Sequence, residues 1–414
     1  MKVQRVAVLG AGIMGSSTAL YLARAGIQVD LFDAADRPFS GASRWNEGKI
    51  HLGFLYANDP AYRTARRILS GGLTFPRLTS ELLGRSTLDF TQQDDVYLIH
   101  RDSVRTVDET ESYFLGLQKL IQAQAGAEDY FVDLTESRTR RLSEAEVSEI
   151  GNPENIVAGF AVPERSVPTN QIADAFVEAV SAEPNIHLRM NRRVMQGKLL
   201  GGENHDGCAV HTDSVHTDSV HADDGQTESY DAVVNALWEG RPKVDATIGI
   251  KQQFQWSHRY RLSVFVETNQ TLDNPSAVIC TGPFGDVKNY GGNHFYISWY
   301  PDGLLATGED LTPPPTPQLD DASRSELANR IFDNLGVYLP RVLAIRDHAE
   351  RIQVRGGWVF ASGTGKLDDP KATLHHRDRI GVTRTGRWWS VDTGKYSIAP
   401  WLAKQVAQEI CSVV

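Results

Sequence analysis

An α/β fold joined to an α+β layer is predicted by three features of the 414-residue chain. An apolar strand breaks at spaced glycines and resumes as a helix, a second buried-strand pattern lies far downstream, and a stretch of alternating residues fills much of the space between. The first feature covers residues 6–33. Val6, Ala7, Val8 and Leu9 are apolar, Gly10-Ala11-Gly12-Ile13-Met14-Gly15 follows, and Ala19, Leu20, Leu22 and Ala23 repeat with helical spacing up to Gly26. A short strand at 29–32 then stops at Asp33. Glycines at this spacing permit a tight turn, let the backbone approach a pyrophosphate and allow the helix to pack closely on the strand. The helix N-terminus adds N–H groups and a positive dipole end. Asp33 is placed to accept hydrogen bonds from ribose hydroxyls. A Rossmann-like dinucleotide-binding domain is therefore expected, with Gly10, Gly12, Ile13, Met14, Gly15, Asp33 and Ala34 against the nucleotide.

Tyr230-Asp231-Ala232-Val233-Val234-Asn235-Ala236 reads as a buried strand, of the kind that in dinucleotide-binding families passes under the adenosine and leads out to a substrate domain, a resemblance that implies Ala236 as a cofactor neighbour. The alternating stretch supplies the α+β layer. Tyr260, Leu262, Val264 and Val266 alternate with polar residues, as do Phe295, Ile297 and Trp299, and Asp302-Gly303 marks a turn. A strand is expected at 95–100 and a helix through Phe114, Leu117, Leu120 and Ile121. Pro313-Pro314-Pro315-Thr316-Pro317 reads as a stiff connector. Of Tyr290, Phe295, Tyr296, Trp299 and Tyr300, most are expected to pack the sheet and a minority to wall a pocket. The expected division is a nucleotide domain of residues 1–87, 150–245 and 350–414, and a discontinuous antiparallel-sheet substrate domain of residues 88–149 and 246–349.

Composition excludes some partners. A net charge of −10 and a pI near 5.7 argue against nucleic acid, which demands a basic surface, while leaving room for a local basic pocket. With the first strand starting at residue 6, no secretory or transit segment is expected, and no apolar run is long enough to span a bilayer. Cys208, Cys280 and Cys411 are far apart and lack metal-ligand spacing, so they are expected to be buried or half-buried thiols in a reducing cytoplasm. The segment His-Thr-Asp-Ser-Val at 211–215 is repeated at 216–220, and a further copy begins at His221. In a strand, a spacing of five sends successive histidines to opposite faces, so a surface hairpin is expected and no metal site.

The residues after Asp33 distinguish between dinucleotides. A nicotinamide enzyme usually continues into another helix and strand. Here Ser40-Gly41-Ala42-Ser43-Arg44-Trp45-Asn46-Glu47-Gly48 forms a small-residue loop, which resembles the FAD enzymes of the D-amino-acid oxidase superfamily. The resemblance implies FAD as cofactor, with Ser43, Arg44, Asn46, Glu47 and Gly48 along its phosphates and ring. Residues 162–170, the helix after them and a strand ending at Arg193-Val194 look like that family's second adenine-side segment, which adds Val194 to the cofactor residues. Near the C-terminus, Asp392-Thr393-Gly394-Lys395-Tyr396-Ser397 precedes a helix whose N-terminus would lie at the flavin pyrimidine end, where a positive dipole stabilises the reduced ring. Gly394, Lys395, Tyr396 and Ser397 follow as flavin neighbours. This stretch and the one containing Arg377 are similar to flavin-linked glycerol-3-phosphate dehydrogenase. Ile50-His51-Leu52-Gly53-Phe54-Leu55-Tyr56 is similar both to that family and to L-2-hydroxyglutarate dehydrogenase.

The implied chemistry is removal of a hydride from a carbon bearing a hydroxyl or an amine in a small molecule, followed by passage of the electrons to oxygen, a quinone or a protein. A hydroxyl substrate needs a base, and His51 is the candidate. An amine can shed its proton unaided, which makes C–N oxidation the alternative. Lys395 and Arg377 are the expected receptors for a carboxylate or phosphate. Arg259, Arg261 and Arg355 are weaker candidates, recommended only by their neighbourhood. A flavin monooxygenase would carry a Gly-Asp-Ala-like stretch where Asp392-Thr393-Gly394-Lys395 stands, and a nicotinamide dehydrogenase is supported only by the first thirty or so residues.

Overall fold

The computed structural model describes residues 3–201, 207–215 and 225–413. The apolar N-terminal run forms the strand Arg5–Leu9 and passes through the glycine turn into the helix Ile13–Arg24 and the strand Gln28–Phe32. From one edge, the first sheet runs Gly381–Thr385, Trp388–Asp392, Ala232–Asn235, Arg5–Leu9, Gln28–Phe32 and Ile186–Arg189. All pairings are parallel except that of the two C-terminal strands. Parallel neighbours need crossovers that cover both faces. On one face Val6, Val8 and Leu31 pack with Leu20 of the first helix and with Leu402 and Val406 of the last helix, Ala399–Ser412. On the other, Ala7, Leu9, Phe32 and Trp388 pack against Val194 and Val210 of a three-stranded antiparallel sheet. His211 lies on the middle strand of that small sheet, Gly207–Ser214. His216 and His221, the repeat's other histidines, fall outside the described residues, and no group of potential metal ligands exists among the described ones.

The second sheet has nine strands. Its central strand, Trp256–Thr268, pairs with Leu304–Gly308, His294–Trp299 and Ala349–Ser362, and the sheet continues through Gly285–Asn289, Ala277–Cys280, Asp95–His100 and Ile156–Val162 to a short edge at Arg140–Arg141. Alternation gives it two different faces. Leu262, Val264, Val266, Phe295 and Ile297 pack against Leu327, Ile331, Phe332 and Leu335 of the helix Asp321–Tyr338. Arg259, Arg261, Ser263, Phe265, Tyr296 and Ser298 occupy the opposite positions, toward the nucleotide half. Two strands lie in a different sheet from the one their expected segments imply: Ile156–Val162 and Ala349–Ser362 both pair within the second sheet.

Of the aromatics, Phe295 belongs to the apolar core and Trp299 stacks on Tyr338 at 5.0 Å, while Tyr290, Tyr296 and Tyr300 serve the polar side. The proline connector links Leu304–Gly308 to the helix Asp321–Tyr338 and is fastened by a hydrogen bond from Trp358 Nε1 to Thr316 Oγ1 of 2.9 Å. Cys208 and Cys280 are buried, and burial pushes both thiols up to about 12. Cys411 is exposed on the last helix. Among the described residues no helix is long and apolar enough to cross a membrane.

Candidate active site

The glycine turn makes a cradle that side chains would fill. A Cβ on Gly12 would lie 2.7 Å from Ser43 Oγ, and one on Gly15 would lie 1.8 Å from the carbonyl oxygen of Gly10. Ser43 Oγ accepts from the Ile13 N–H at 3.1 Å, which ties the loop to the first turn of the helix, beside Met14. Asp33 holds the turn itself, accepting from the Ala11 N–H at 2.8 Å and from the Ala35 N–H, past Ala34, at 2.9 Å. Ala236 donates its N–H to Leu9 at 2.9 Å, and its carbonyl lies against Gly10. Val194 is buried behind Phe32, on the strand that follows the 2.8 Å bond from Asn191 N–H to Ala35. In the loop, the Arg44 guanidinium is engaged with Asp174 at 2.6 Å and with the Phe39 carbonyl at 3.1 Å. Asn46 donates to Ala42 and accepts from the Gly48 N–H, each at 2.9 Å. Tyr290 OH reaches over from the second sheet to the Glu47 carbonyl at 2.7 Å.

His51 is held by a network of buried charges. Glu164 accepts from the backbone N–H groups of Leu52 at 2.6 Å and Gly53 at 3.2 Å, and from Tyr97 OH at 2.5 Å. Lys49 donates to Tyr97 OH at 3.0 Å and pairs with Asp95 at 2.9 Å, and Lys288 pairs with the same Asp95 oxygen at 2.7 Å. All four charged groups are buried. A buried charge is tolerated when it is paired and hydrogen-bonded, so this cluster fixes the backbone on both sides of His51. Sequence reasoning missed it; a charged residue inside an apolar strand, as at Asp95 and Lys288, was the available signal.

The structure brings His51 and Lys395 together across 344 residues, with Lys395 Nζ 3.3 Å from His51 Nε2. Glu47 Oε1 lies 3.7 Å from the same nitrogen, and the ammonium is 5.4 Å from the centre of the Tyr56 ring. His51 is 2% exposed. Burial, reinforced by Lys395, lowers its pKa to about 4 against the smaller opposing effect of Glu47. Burial works against the charge of Glu47, but the adjoining His51 ring and the ammonium of Lys395 outweigh it and hold the carboxyl below its usual range. His51 Nδ1 is buried with no hydrogen-bond partner among the described residues. Gly394 donates its N–H to Asp392 at 3.1 Å, which shapes the turn into Lys395. Tyr396 packs on Phe75 at 5.7 Å, and Ser397 is fully buried ahead of the last helix, whose start carries no side-chain cap.

Arg377 does not join this pair. Its side chain donates to the Leu374 carbonyl at 3.2 Å, its backbone N–H goes to Thr64 Oγ1 at 2.9 Å, and it forms no ion pair with Asp378. The arginines facing the centre instead come from the central strand. Arg261 lies over the Tyr300 ring at 4.6 Å, and its Nε is buried without a partner among the described residues. Burial opposes its charge, but Tyr296, Tyr300, Glu47 and Asp286 around it more than offset that. Arg259 is buried and bonds Tyr300 OH, Ser257 Oγ and the Gly365 carbonyl. Arg355 stacks over Trp45 at 5.8 Å. The alternation that marks Leu262 and Val264 as core positions also puts Arg259 and Arg261 on the other face, which is the signal sequence reasoning underweighted.

A family model described as DAO, FAD dependent oxidoreductase, matches residues 5–359. The chain belongs to the DAO family of FAD-dependent oxidoreductases. This member has the fold of glycine oxidase from Geobacillus kaustophilus, with a TM-score of 0.67 at 16% identity over 98% of this chain and 95% of that one. It also resembles L-alpha-glycerophosphate oxidase from Mycoplasma pneumoniae, solved with FAD bound, with a TM-score of 0.62 at 16% identity over 100% and 96% of the two chains. L-proline dehydrogenase from P. horikoshii gives 0.62 at 16% identity over 99% and 93%. The DAO-family chain is an oxidoreductase and its cofactor is FAD. The cradle fits that cofactor: the glycine turn has no side chain in the pyrophosphate path, and Asp33 keeps lone pairs free beyond its two backbone bonds.

Proposed function

We propose that this DAO-family enzyme oxidises a hydroxyl-bearing carbon in a small anionic hydroxy acid or polyol derivative. The observation that carries the reading is the contact between the buried His51 and Lys395, with Glu47 beside the same ring nitrogen. The likeness of residues 50–56 and 392–397 to the glycerol-3-phosphate and L-2-hydroxyglutarate dehydrogenases supports it. FAD, when bound, supplies the hydride acceptor. The residues proposed to hold it are the Gly10–Gly15 turn with Asp33 and Ala34, the loop from Ser43 to Gly48, Val194 and Ala236 on the adenine side, and Gly394 to Ser397 at the ring.

The protein's own part is binding and proton transfer. Lys395 can only donate, so Nε2 of His51 accepts from it and the neutral ring carries its proton on Nδ1. An incoming hydroxyl can compete for that lone pair. As its carbon loses the hydride, the hydroxyl proton passes to Nε2, and the Glu47 carboxylate stabilises the imidazolium that forms. Lys395 and Arg261 hold the anionic group, which fixes the carbon for transfer. A base pulled down to about 4 is weak, and this favours one second reading: oxidation of a C–N bond, where the amine releases its proton to solvent beforehand.

Anaerobic rapid mixing with hydroxy acids, polyol phosphates and amino acids tests the proposal. His51→Ala is expected to slow flavin reduction by a hydroxyl substrate about 10²- to 10⁴-fold while FAD stays bound. Lys395→Met is expected to raise the substrate concentration needed for half-maximal reduction. Reduction of His51→Ala at the wild-type rate by an amino acid would replace the hydroxyl reading with the C–N one. Wild-type behaviour of both variants would place the centre elsewhere.

A further inference from the structure

The site holds more positive charge than one anionic group needs. Arg259 and Arg261 are two residues apart on the strand Trp256–Thr268, so their side chains leave the same face, one pleat apart. Both lie at the ring of Tyr300, with guanidinium carbons 5.9 and 4.6 Å from its centre. Arg261 stands at the inner end, among Glu47, Tyr296 and Asp286. Arg259 stands at the outer end, where its Nη2 donates to Gly365 at 3.0 Å. Gly365 and Leu374 belong to one loop, closed by a 3.4 Å bond from Leu374 N–H to Thr364 and a 2.9 Å bond from Thr364 N–H to Thr373 Oγ1. Arg377 is fastened to that same loop through Leu374, which brings its charge to Arg259.

No carboxylate of the described residues touches these cations directly, although Glu47 and Asp286 favour the charge of Arg261 from a distance. Among the described residues, none of Arg259, Arg261, Arg377 and Lys395 forms an ion pair. Glu47 lies 3.7 Å from His51 Nε2, Asp392 is paired with Arg241 at 3.4 Å, and Glu309, which favours the charge of Arg259, is exposed. Guanidinium forks match carboxylates and phosphates bidentately, and a buried one such as Arg259 left without an anion is unfavourable. A ligand with a single negative group could satisfy the inner pair but would leave the outer pair bare.

We propose that the substrate carries two separated anionic groups, the first taken by Lys395 and Arg261 beside His51 and the second by Arg259 and Arg377. A small dicarboxylate is the simplest such molecule. The inference rests on the reading of Lys395 and His51 as the reaction centre. It is tested on the FAD-loaded enzyme by titrating succinate against butyrate and glutarate against valerate, pairs of equal carbon number, and following the visible flavin spectrum. The dicarboxylates are expected to bind about 10- to 100-fold more tightly, the range of one further charge-assisted contact. Arg259→Gln and Arg377→Gln should each shrink that ratio toward one, with FAD content reporting whether the variant has folded. Equal binding of the two classes by the wild-type enzyme, a comparison that needs no variant, overturns the two-anion inference and leaves the reaction centre standing. Absence of any spectral response to either class overturns both.

Discussion

The nucleotide cradle and the reactive centre are built from opposite materials. The cradle is local: its turn, its helix and the carboxylate that braces it all lie between Arg5 and Asp33, and its decisive property is missing side chains. The reactive centre is assembled across the chain, with His51 meeting Lys395 from 344 residues away. Its decisive property is charge held out of water. Backbone shape can be written in a short stretch of sequence, whereas a tuned proton acceptor needs burial, and burial requires several elements to converge.

Breaking the cradle should have the largest effect. Gly12→Val brings branches into a space where even a Cβ would lie 2.7 Å from Ser43 Oγ. The expected outcome is purification without flavin, read from the visible spectrum, while the helix Ile13–Arg24 and its sheet survive, read from far-UV circular dichroism. A full complement of FAD in this variant would place the cofactor elsewhere. Loosening the reactive centre should cost less. Glu164→Gln keeps an acceptor for the N–H groups of Leu52 and Gly53 but removes the charge beside Lys49 and turns a donor toward Tyr97 OH. Small displacements of a reacting group carry penalties of up to about 100-fold, so a fall of roughly ten- to a hundredfold in flavin reduction is expected at unchanged FAD content. Glu164 also favours the protonated form of His51, so the acid limb of the pH profile should move downward. A purely structural role would lower the rate without moving that limb.

The same contrast explains what was legible beforehand. Gly10, Gly12, Gly15 and Asp33 could be read because each acts within one contiguous supersecondary unit. The central strand could be read from Leu262, Val264 and Val266, and its other face, with Arg259 and Arg261, was implied by that period. The sheets of Ile156–Val162 and Ala349–Ser362 could not, since a strand's pattern reports burial and not its partner. Arg377 resembled an anion receptor at the centre, yet its loop fastens it through Leu374 on the Arg259 side. The network of Lys49, Asp95, Glu164 and Lys288 joins four separate segments, and no spacing rule connects them.

The smallest expected effect is a displacement of the pH profile, and it separates the causes acting on His51. Its pKa is lowered from the ordinary 6.5 to about 4, first by burial and next by Lys395. The folded ring therefore stays neutral, and able to accept a proton, well below the pH at which a free imidazole would be charged. For a hydroxyl substrate, the acid limb of the apparent second-order rate constant of flavin reduction is expected near 4 rather than near 6.5, since this constant reports groups of the free enzyme. Lys395→Met removes the second cause and leaves the first, so the limb should rise but stop short of 6.5. Stability changes in the same window. The unfolded chain binds a proton at His51 below about 6.5 that the folded one refuses until about 4, so stability falls as pH falls between those values, and the Lys395 variant should lose less. A limb already at 6.5 in the wild-type enzyme would mean that His51 titrates as an exposed ring, and its contact with Lys395 would lose its place in the mechanism.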